Sequence, residues 1–558
     1  MNPLYPYPFR ISLSLIFCLF YCSCEQEQSH TSSRKIIITP GSGLFETSQF
    51  NNTLHGLVPG VDTLTKSYQV SIQNPHTGLR YVYQSAAYAP VWITSNGLTA
   101  SAEDLLNDLD SLQYDGINPE RYAISGLRSQ FRELKKGGDL NAAIRFDTSC
   151  TRAYLQASHD LLFGVTSPHS GDSLWFHVND TLWNAPRNLV AMVNGNGQYP
   201  QLAAYRSHIP TYQLLRNEYA RYNTLSKDEH LKTLKEELKG PSVSASQAVQ
   251  LISSELPWIH ADPSDSLPAA NQLIRGFQGY YGLVPTGKVD SLTIRKLSIA
   301  PDSVKQFLAA NMERLRWLPN KFEDQYVIVN IPLMELFYRK AGDDAFHMRV
   351  VVGKPARQTP VLNANMANVV FSPNWSVPPT ILKNDVLPGL TRRGGGYLAR
   401  KGLSAFDRHG HKVNAGAINS KNYKNYTYKQ PPGARNALGE VKFNLPNRWD
   451  IYLHDTPHRG DFVKRYRAKS SGCVRVEKPR QFAEFILKDI EGRNFDSSII
   501  DSIIHTRKTR FEILKNKIPV HIVYLTAFED STGQHLHFIP DIYGRDARLI
   551  QALSKTSN

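Results

Sequence analysis

The stretch IYLHDTPHRGDFVKRYRAKSSGCVRVEKP, residues 451–479, carries the densest information in this 558-residue chain. It opens on an apolar strand pattern, Ile451 to Leu453, that ends on His454. A basic loop follows, then the tight run Ser470–Ser471–Gly472–Cys473. A thiol attacks well only as thiolate, so a nucleophilic cysteine needs a base or a cation beside it. His454, at the end of a strand, suits the base. Gly472 permits a tight turn in which the N–H groups of Ser471, Gly472 and Cys473 could converge on one oxyanion. Arg475 adds fixed charge, which favours the thiolate or holds a substrate carboxylate. Tyr452 is two residues before His454, so on a strand it faces the same side, as groove or as core. On the residues alone, a buried structural thiol stays an open reading. His454 and His458 lie four apart, but a strand-to-loop setting does not hold them on one helical face. No metal site and no cofactor are expected.

Strand signals surround this stretch. QYVIVNIP, LMELFYR, HMRVVVG and NVVFSP precede it from about residue 324, EVKFNL lies just before it, and IPVHIVYLTAFED comes later. All are rich in β-branched and aromatic residues between turn formers. Between them, residues 380–430 read as an inserted lid, with Gly394–Gly396 as a mobile point. Trp375, just before, is groove or core. Asn436, Gly439 and Lys442 read as mainly structural. The pattern upstream is helical. SAEDLLNDLDSLQYDG sets Leu105, Leu106, Leu109 and Leu112 on one face, with a capping signal from Ser101 to Asp104. SCTRAYLQASHDLLFG repeats the theme and makes Cys150 a small core residue.

The expected division is therefore α+β and multidomain. Residues 66–235 form a helical scaffold and 240–305 a small helical module with Phe277, Leu283 and Thr293 in its core. Residues 306–323 form a basic linking helix, 324–500 a mainly β catalytic domain and 501–558 a C-terminal extension. Residues 25–65 read as a polar tether. Residues 1–24 carry Arg10, then an apolar run too short to span a bilayer, and describe an export signal. Cys24 follows Ser23 and resembles the acylated cysteine of a bacterial lipoprotein signal. A lipid anchor at Cys24 and ordinary cleavage both stand. With five cysteines, three of them in that signal, no disulfide framework is expected. A net charge of +15 favours anionic partners.

The motif SSGCVR, Ser470 to Arg475, after a strand histidine resembles the active site of L,D-transpeptidases with a YkuD-type catalytic domain. RWLP, VVVGKPARQTPV, FSPNWSVPPTI, QPPGARNALGEVKFNLPN and IYLHDTP resemble the large multidomain branch of that family, collinearly. The FQGYYGL…GKVDSLT segment resembles its peptidoglycan-binding domain. The resemblance implies Cys473 as nucleophile and His454 as base, with Ser470, Ser471, Gly472 and Arg475 as motif residues. It implies 3→3 cross-links between peptidoglycan stem peptides through a cysteine thioester. It also implies an exported enzyme of the periplasm or cell envelope, with no nucleic-acid partner. Asp455 after the histidine and Ser471 before the Gly-Cys pair depart from many members and leave His454 as the one obvious base. Water or a lipoprotein lysine as acceptor, and an inactive wall-binding scaffold, are the competing readings. Oligomeric state is not legible.

Overall fold

A computed structural model describes residues 36–38, 43–58, 74–195, 197–238, 243–530 and 532–556. The expected export signal, and Cys24 with it, lies outside these. A helical N-terminal region precedes a mostly β catalytic domain, as the sequence patterns indicate.

The N-terminal region packs helices α1 (Thr47–Leu57), α2 (Ala100–Ser111), α3 (Ile124–Lys136) and α4 (Leu140–Phe163). Leu105, Leu106 and Leu109 are fully buried, as their spacing requires, and Cys150 lies in the same core. The expected cap at Ser101 is replaced by Thr99 as N-cap residue. The Thr99 hydroxyl makes no cap bond because it donates to the Trp92 carbonyl at 2.7 Å. The expected tether is also corrected. Ile36–Ile38 pairs with Gly97–Thr99, and α1 buries Phe50 and Leu54 in the scaffold core. Two apolar anchors four residues apart are too sparse to show as periodicity, yet each buried side chain contributes about 1.5–3 kcal/mol.

Helices α5 (Ala245–Glu255), α6 (Ala269–Tyr280) and α7 (Ser291–Leu297) form the small module, with Phe277 and Thr293 inside. Gly282 and Gly287 both take positive φ in its turn. The next helix, α8 (Pro301–Arg316), begins earlier than the expected linker and is no linker. Asn311, Glu313, Arg314 and Arg316 are all buried. Arg314 pairs with Asp546 at 2.6 Å, Arg316 with Glu313 at 2.6 Å, and Asn311 Oδ1 accepts the Thr526 N–H at 2.8 Å. Its charges point inward to partners supplied by distant segments, so a basic composition misleads about its place.

Among the described residues, the catalytic sheet has nine strands. They are β1 (Gln325–Asn330), β2 (Glu335–Lys340), β3 (Asp343–Gly353), β4 (Leu362–Phe371), β5 (Val441–Asn444), β6 (Leu453–His454), β7 (Ala468–Ser470), β8 (Val474–Val476) and β9 (Arg510–Val523). Their order is β7-β3-β8-β6-β5-β4-β9-β1-β2, and β2 also pairs with β3. Long β3 therefore closes the sheet on itself. Its first half pairs with β2, and its end pairs with β8 and β7. The expected domain limit at 500 is corrected, because β9 lies between β4 and β1, inside the sheet. Residues 501–558 are no appendage. Helix α9 (Asp546–Thr556) packs on α8, with Leu549 in the common core.

The inserted segment starts at Trp375 rather than near 380. Trp375–Ser376, Ser404–Phe406, Lys412–Val413 and Thr427–Gln430 form a separate four-stranded sheet. It has its own core of Val386, Leu390, Leu398, Ala405 and Tyr428. Two of the three glycines meet a tight local geometry. Gly394 holds φ 55° and ψ −158°, and a Cβ on Gly395 would strike the Ala415 carbonyl.

Candidate active site

The site grows from strand alternation in the middle of the sheet. β6 pairs with β8 in parallel, Leu453 beside Val474 and His454 beside Arg475. It pairs with β5 antiparallel, Phe443 beside Leu453 and Lys442 beside His454. Val441, Phe443, Leu453, Val474 and Val476 are fully buried on the core face. Because successive side chains alternate, Lys442, Tyr452, His454, Cys473 and Arg475 share the opposite face.

Cys473 follows a turn built for it. Gly472 holds φ 121°, a conformation that disfavours any side chain. Ser470 is buried. Its Oγ accepts the Gly472 N–H at 3.1 Å and donates to the Cys473 carbonyl at 2.5 Å. The expected oxyanion array is thereby reduced, because the Gly472 N–H is already used. Among the described residues, the N–H groups of Ser471 and Cys473 have no protein acceptor. Thr359 Oγ1 donates to the Gly472 carbonyl at 2.7 Å and accepts the Gly353 N–H at 2.9 Å. The Tyr543 hydroxyl donates to the Gly353 carbonyl at 2.5 Å. Ser471 Oγ accepts from Arg357 at 2.9 Å, and Arg357 pairs with Asp385 of the inserted segment at 2.5 Å.

The thiol is half-buried and lies 3.5 Å from the Asp450 carbonyl. Burial pushes its pKa above the ordinary 9.0, while the Tyr452 N–H, the Tyr452 hydroxyl and the Lys442 charge pull it back. His454 is buried, with Nδ1 2.5 Å from the Asp455 carbonyl. A carbonyl only accepts, so Nδ1 carries the proton and Nε2 is the free acceptor. Burial, then the Arg475 charge and more weakly that of Lys442, lower the His454 pKa to about 3. At rest the two groups are thus thiol and neutral imidazole, and among the described residues the thiol's contacts are with Asp450 and Tyr452 rather than His454. Arg475 is the stronger cation at His454 and Lys442 the one felt at Cys473, and Arg475 leans on Asp461 at 3.5 Å. Asp455 secures the strand end. Its carboxylate accepts the Glu440 N–H at 2.9 Å and pairs with Arg459 at 2.9 Å. A Cβ on Gly439 would strike that carboxylate, which makes Gly439 structural, as is Asn436, bonded to the Pro373 carbonyl at 2.8 Å.

A cleft of about 470 Å³ opens between the inserted segment, β5 and the loop leading into β6; it is lined by Asp450 and Tyr452, which touch the thiol, and not by Cys473 or His454 themselves. Trp375 and Tyr452 both line it, and the Tyr452 hydroxyl reaches both Trp375 and Cys473. Lys442 also lines it, with Nζ 4.2 Å from the Tyr452 ring centroid. The sequence reading treated Lys442 as structural and passed over Thr359, Arg357 and Tyr543. Only Lys442 had a signal within reach, an exposed-type residue alternating with the buried Val441 and Phe443. A second cavity of about 320 Å³, lined by Glu323, Asn363, Lys517 and His521, shares Pro446 with the cleft.

Residues 324–513 match the family of the YkuD L,D-transpeptidase catalytic domain, and residues 77–218 match the Scaffold domain family. This chain carries a YkuD-type L,D-transpeptidase catalytic domain. Its matched range runs on through residue 513, past the expected limit at 500. A curated Haemophilus influenzae protein named "Putative L,D-transpeptidase" is 34% identical over 288 residues, which is 51% of this chain and 55% of that protein. The match therefore spans about half of that relative's length. Among solved structures, an L,D-transpeptidase from Mycobacterium smegmatis is 12% identical with a TM-score of 0.19, covering 37% of this chain and 60% of that one. A cysteine-to-serine form of an Enterococcus faecium L,D-transpeptidase is 12% identical with a TM-score of 0.18, covering 40% and 62%.

Proposed function

We propose that this protein is a peptidoglycan L,D-transpeptidase that joins stem peptides by 3→3 cross-links, with Cys473 as nucleophile and His454 as base. One observation carries the reading. Within an L,D-transpeptidase catalytic domain, a half-buried thiol and a neutral imidazole share one sheet face beside a cleft.

Cys473 Sγ attacks the carbonyl at the L-centre of the donor's diamino acid as its proton passes to His454 Nε2. Charge develops on the carbonyl oxygen, where the Ser471 and Cys473 N–H groups are available donors. Each such donor is worth roughly 3–4 kcal/mol in the transition state. Collapse breaks the amide, the terminal D-residue leaves as an amine with the proton from His454, and a thioester remains. The side-chain amine of an acceptor stem then attacks the thioester and gives up a proton to His454; the C–S bond breaks, and Cys473 leaves and recovers that proton as the free thiol. Export to the periplasm or cell envelope, a wall-binding role for the α5–α7 module and an anchor at Cys24 belong to the same proposal.

The test is mass spectrometry of the products formed from purified tetrapeptide stems. Cross-linked dimers from the unmodified protein, absent with Cys473→Ala, are expected. Trimmed tripeptide alone would make water the acceptor. Dimers formed by Cys473→Ala would refute the nucleophile.

A further inference from the structure

Two cations flank the candidate nucleophile, and they are not equivalent. Arg475 shares its charge with Asp461, which also pairs with Lys464 and Lys469. Lys442 makes no ion pair among the described residues, although it is half-buried. It lines the cleft, stands beside His454 in the β5–β6 register and rests on the Tyr452 ring. Cys473 and, more weakly, Asp450 are the acidic groups whose fields reach it, and the Asp450 side chain is exposed. Asp450 also lines the cleft but makes no ion pair with Lys442, so this partly desolvated ammonium gains from an anionic ligand that brings a closer counter-ion. Under the proposed reaction, the donor brings one at a fixed place. The carboxylate of its terminal residue lies a few bonds beyond the carbonyl that Cys473 attacks.

We infer that Lys442 is a specificity residue that pairs with the terminal carboxylate of the donor stem, in the cleft between β5, β6 and Trp375. The assignment rests on the transpeptidase reading and adds the donor's charged end to it. Asn374, which lines the same cleft and spends one amide proton on Thr509, has a second to offer that end. The leaving D-residue is thereby held by its own charge while the bond to it breaks.

The experiment crosses two donors with three proteins. The donors are a tetrapeptide stem ending in a free carboxylate and the same stem capped as a C-terminal amide. The proteins are the full chain unmodified, Lys442→Gln and Lys442→Arg. A charge-assisted pair in a partly buried site is worth about 10- to 100-fold. The unmodified protein is expected to prefer the carboxylate donor by about that factor in kcat/KM. Lys442→Gln is expected to lose the preference between the two donors, whatever change in rate the two donors share, and Lys442→Arg to retain part of the preference. Any effect of the cation on the thiol itself cancels in the ratio between donors. Equal losses on both donors in Lys442→Gln would overturn the assignment alone. An unmodified protein that turns over neither donor would overturn the transpeptidase reading and this assignment together.

Discussion

The electrostatics of Cys473 and His454 make a prediction that separates two chemistries. Burial holds the thiol above its ordinary 9.0 and the imidazole at about 3. At pH 7 a thiol with pKa at or above 9 is at most about 1% thiolate, and each unit of pH changes that fraction about tenfold. Site-resolved alkylation by iodoacetamide, a neutral reagent, reads this fraction directly. Its rate at Cys473 is expected to rise about tenfold from pH 6 to 7 and again from 7 to 8, with no plateau. Cys150 is fully buried and serves as the unreactive internal control. Turnover of stems should behave differently. His454 stays neutral from pH 8 down to about 5, so the general base remains available and the rate shows no acid limb near 6.5. His454→Ala should keep the steep alkylation slope and lose about 10²- to 10⁴-fold in turnover. A flat alkylation rate between pH 5 and 8 would refute the reasoning, because it would mean a preformed thiolate–imidazolium pair.

Two further outcomes follow from buried partners. Ser470→Ala removes both bonds of its hydroxyl and leaves the buried Gly472 N–H unpaired. It should cost about 1–3 kcal/mol and broaden the reactivity of Cys473, read by urea unfolding and by the same alkylation assay. Asp546→Ala strands the buried Arg314 guanidinium and should lower stability by about 3–5 kcal/mol, seen as a lower urea midpoint; an unchanged midpoint would count against α8 as a central strut.

The catalytic strands were legible because one face of each is apolar. Val441, Phe443, Leu453, Val474 and Val476 alternate with polar residues, and the period alone sets Tyr452 and His454 on one side. Lys442 escaped for a specific reason. Its neighbours across the sheet, His454 and Tyr452, are defined by register between strands, which no single strand encodes. Thr359 and Tyr543 escaped similarly, since Thr359 reaches the Gly472 turn, and Tyr543 reaches Thr359 and Gly353 behind it, from remote segments. Helix α8 misled because charge reads as surface until its partners Asp546 and Thr526 are in view. Gly394 and Gly395 show that glycine also marks tight backbone geometry, which the sequence does not distinguish from mobility.

Strand β9 also constrains the order in which the domain can be assembled. It is hydrogen-bonded on one side to β4 and on the other to β1, yet it is encoded at residues 510–523, after every other strand of the sheet. During synthesis from the N-terminus, β1 and β2 can pair early, but β4 faces a gap until the last strand arrives. Closure of the ring is therefore a late and long-range event, of the kind that folds slowly because loop closure precedes its reward. A nascent or truncated chain ending before residue 510 would hold the complete His454–Cys473 motif on an unclosed sheet. The candidate chemistry is in this sense timed by topology, with every motif residue translated before the strand that completes their support.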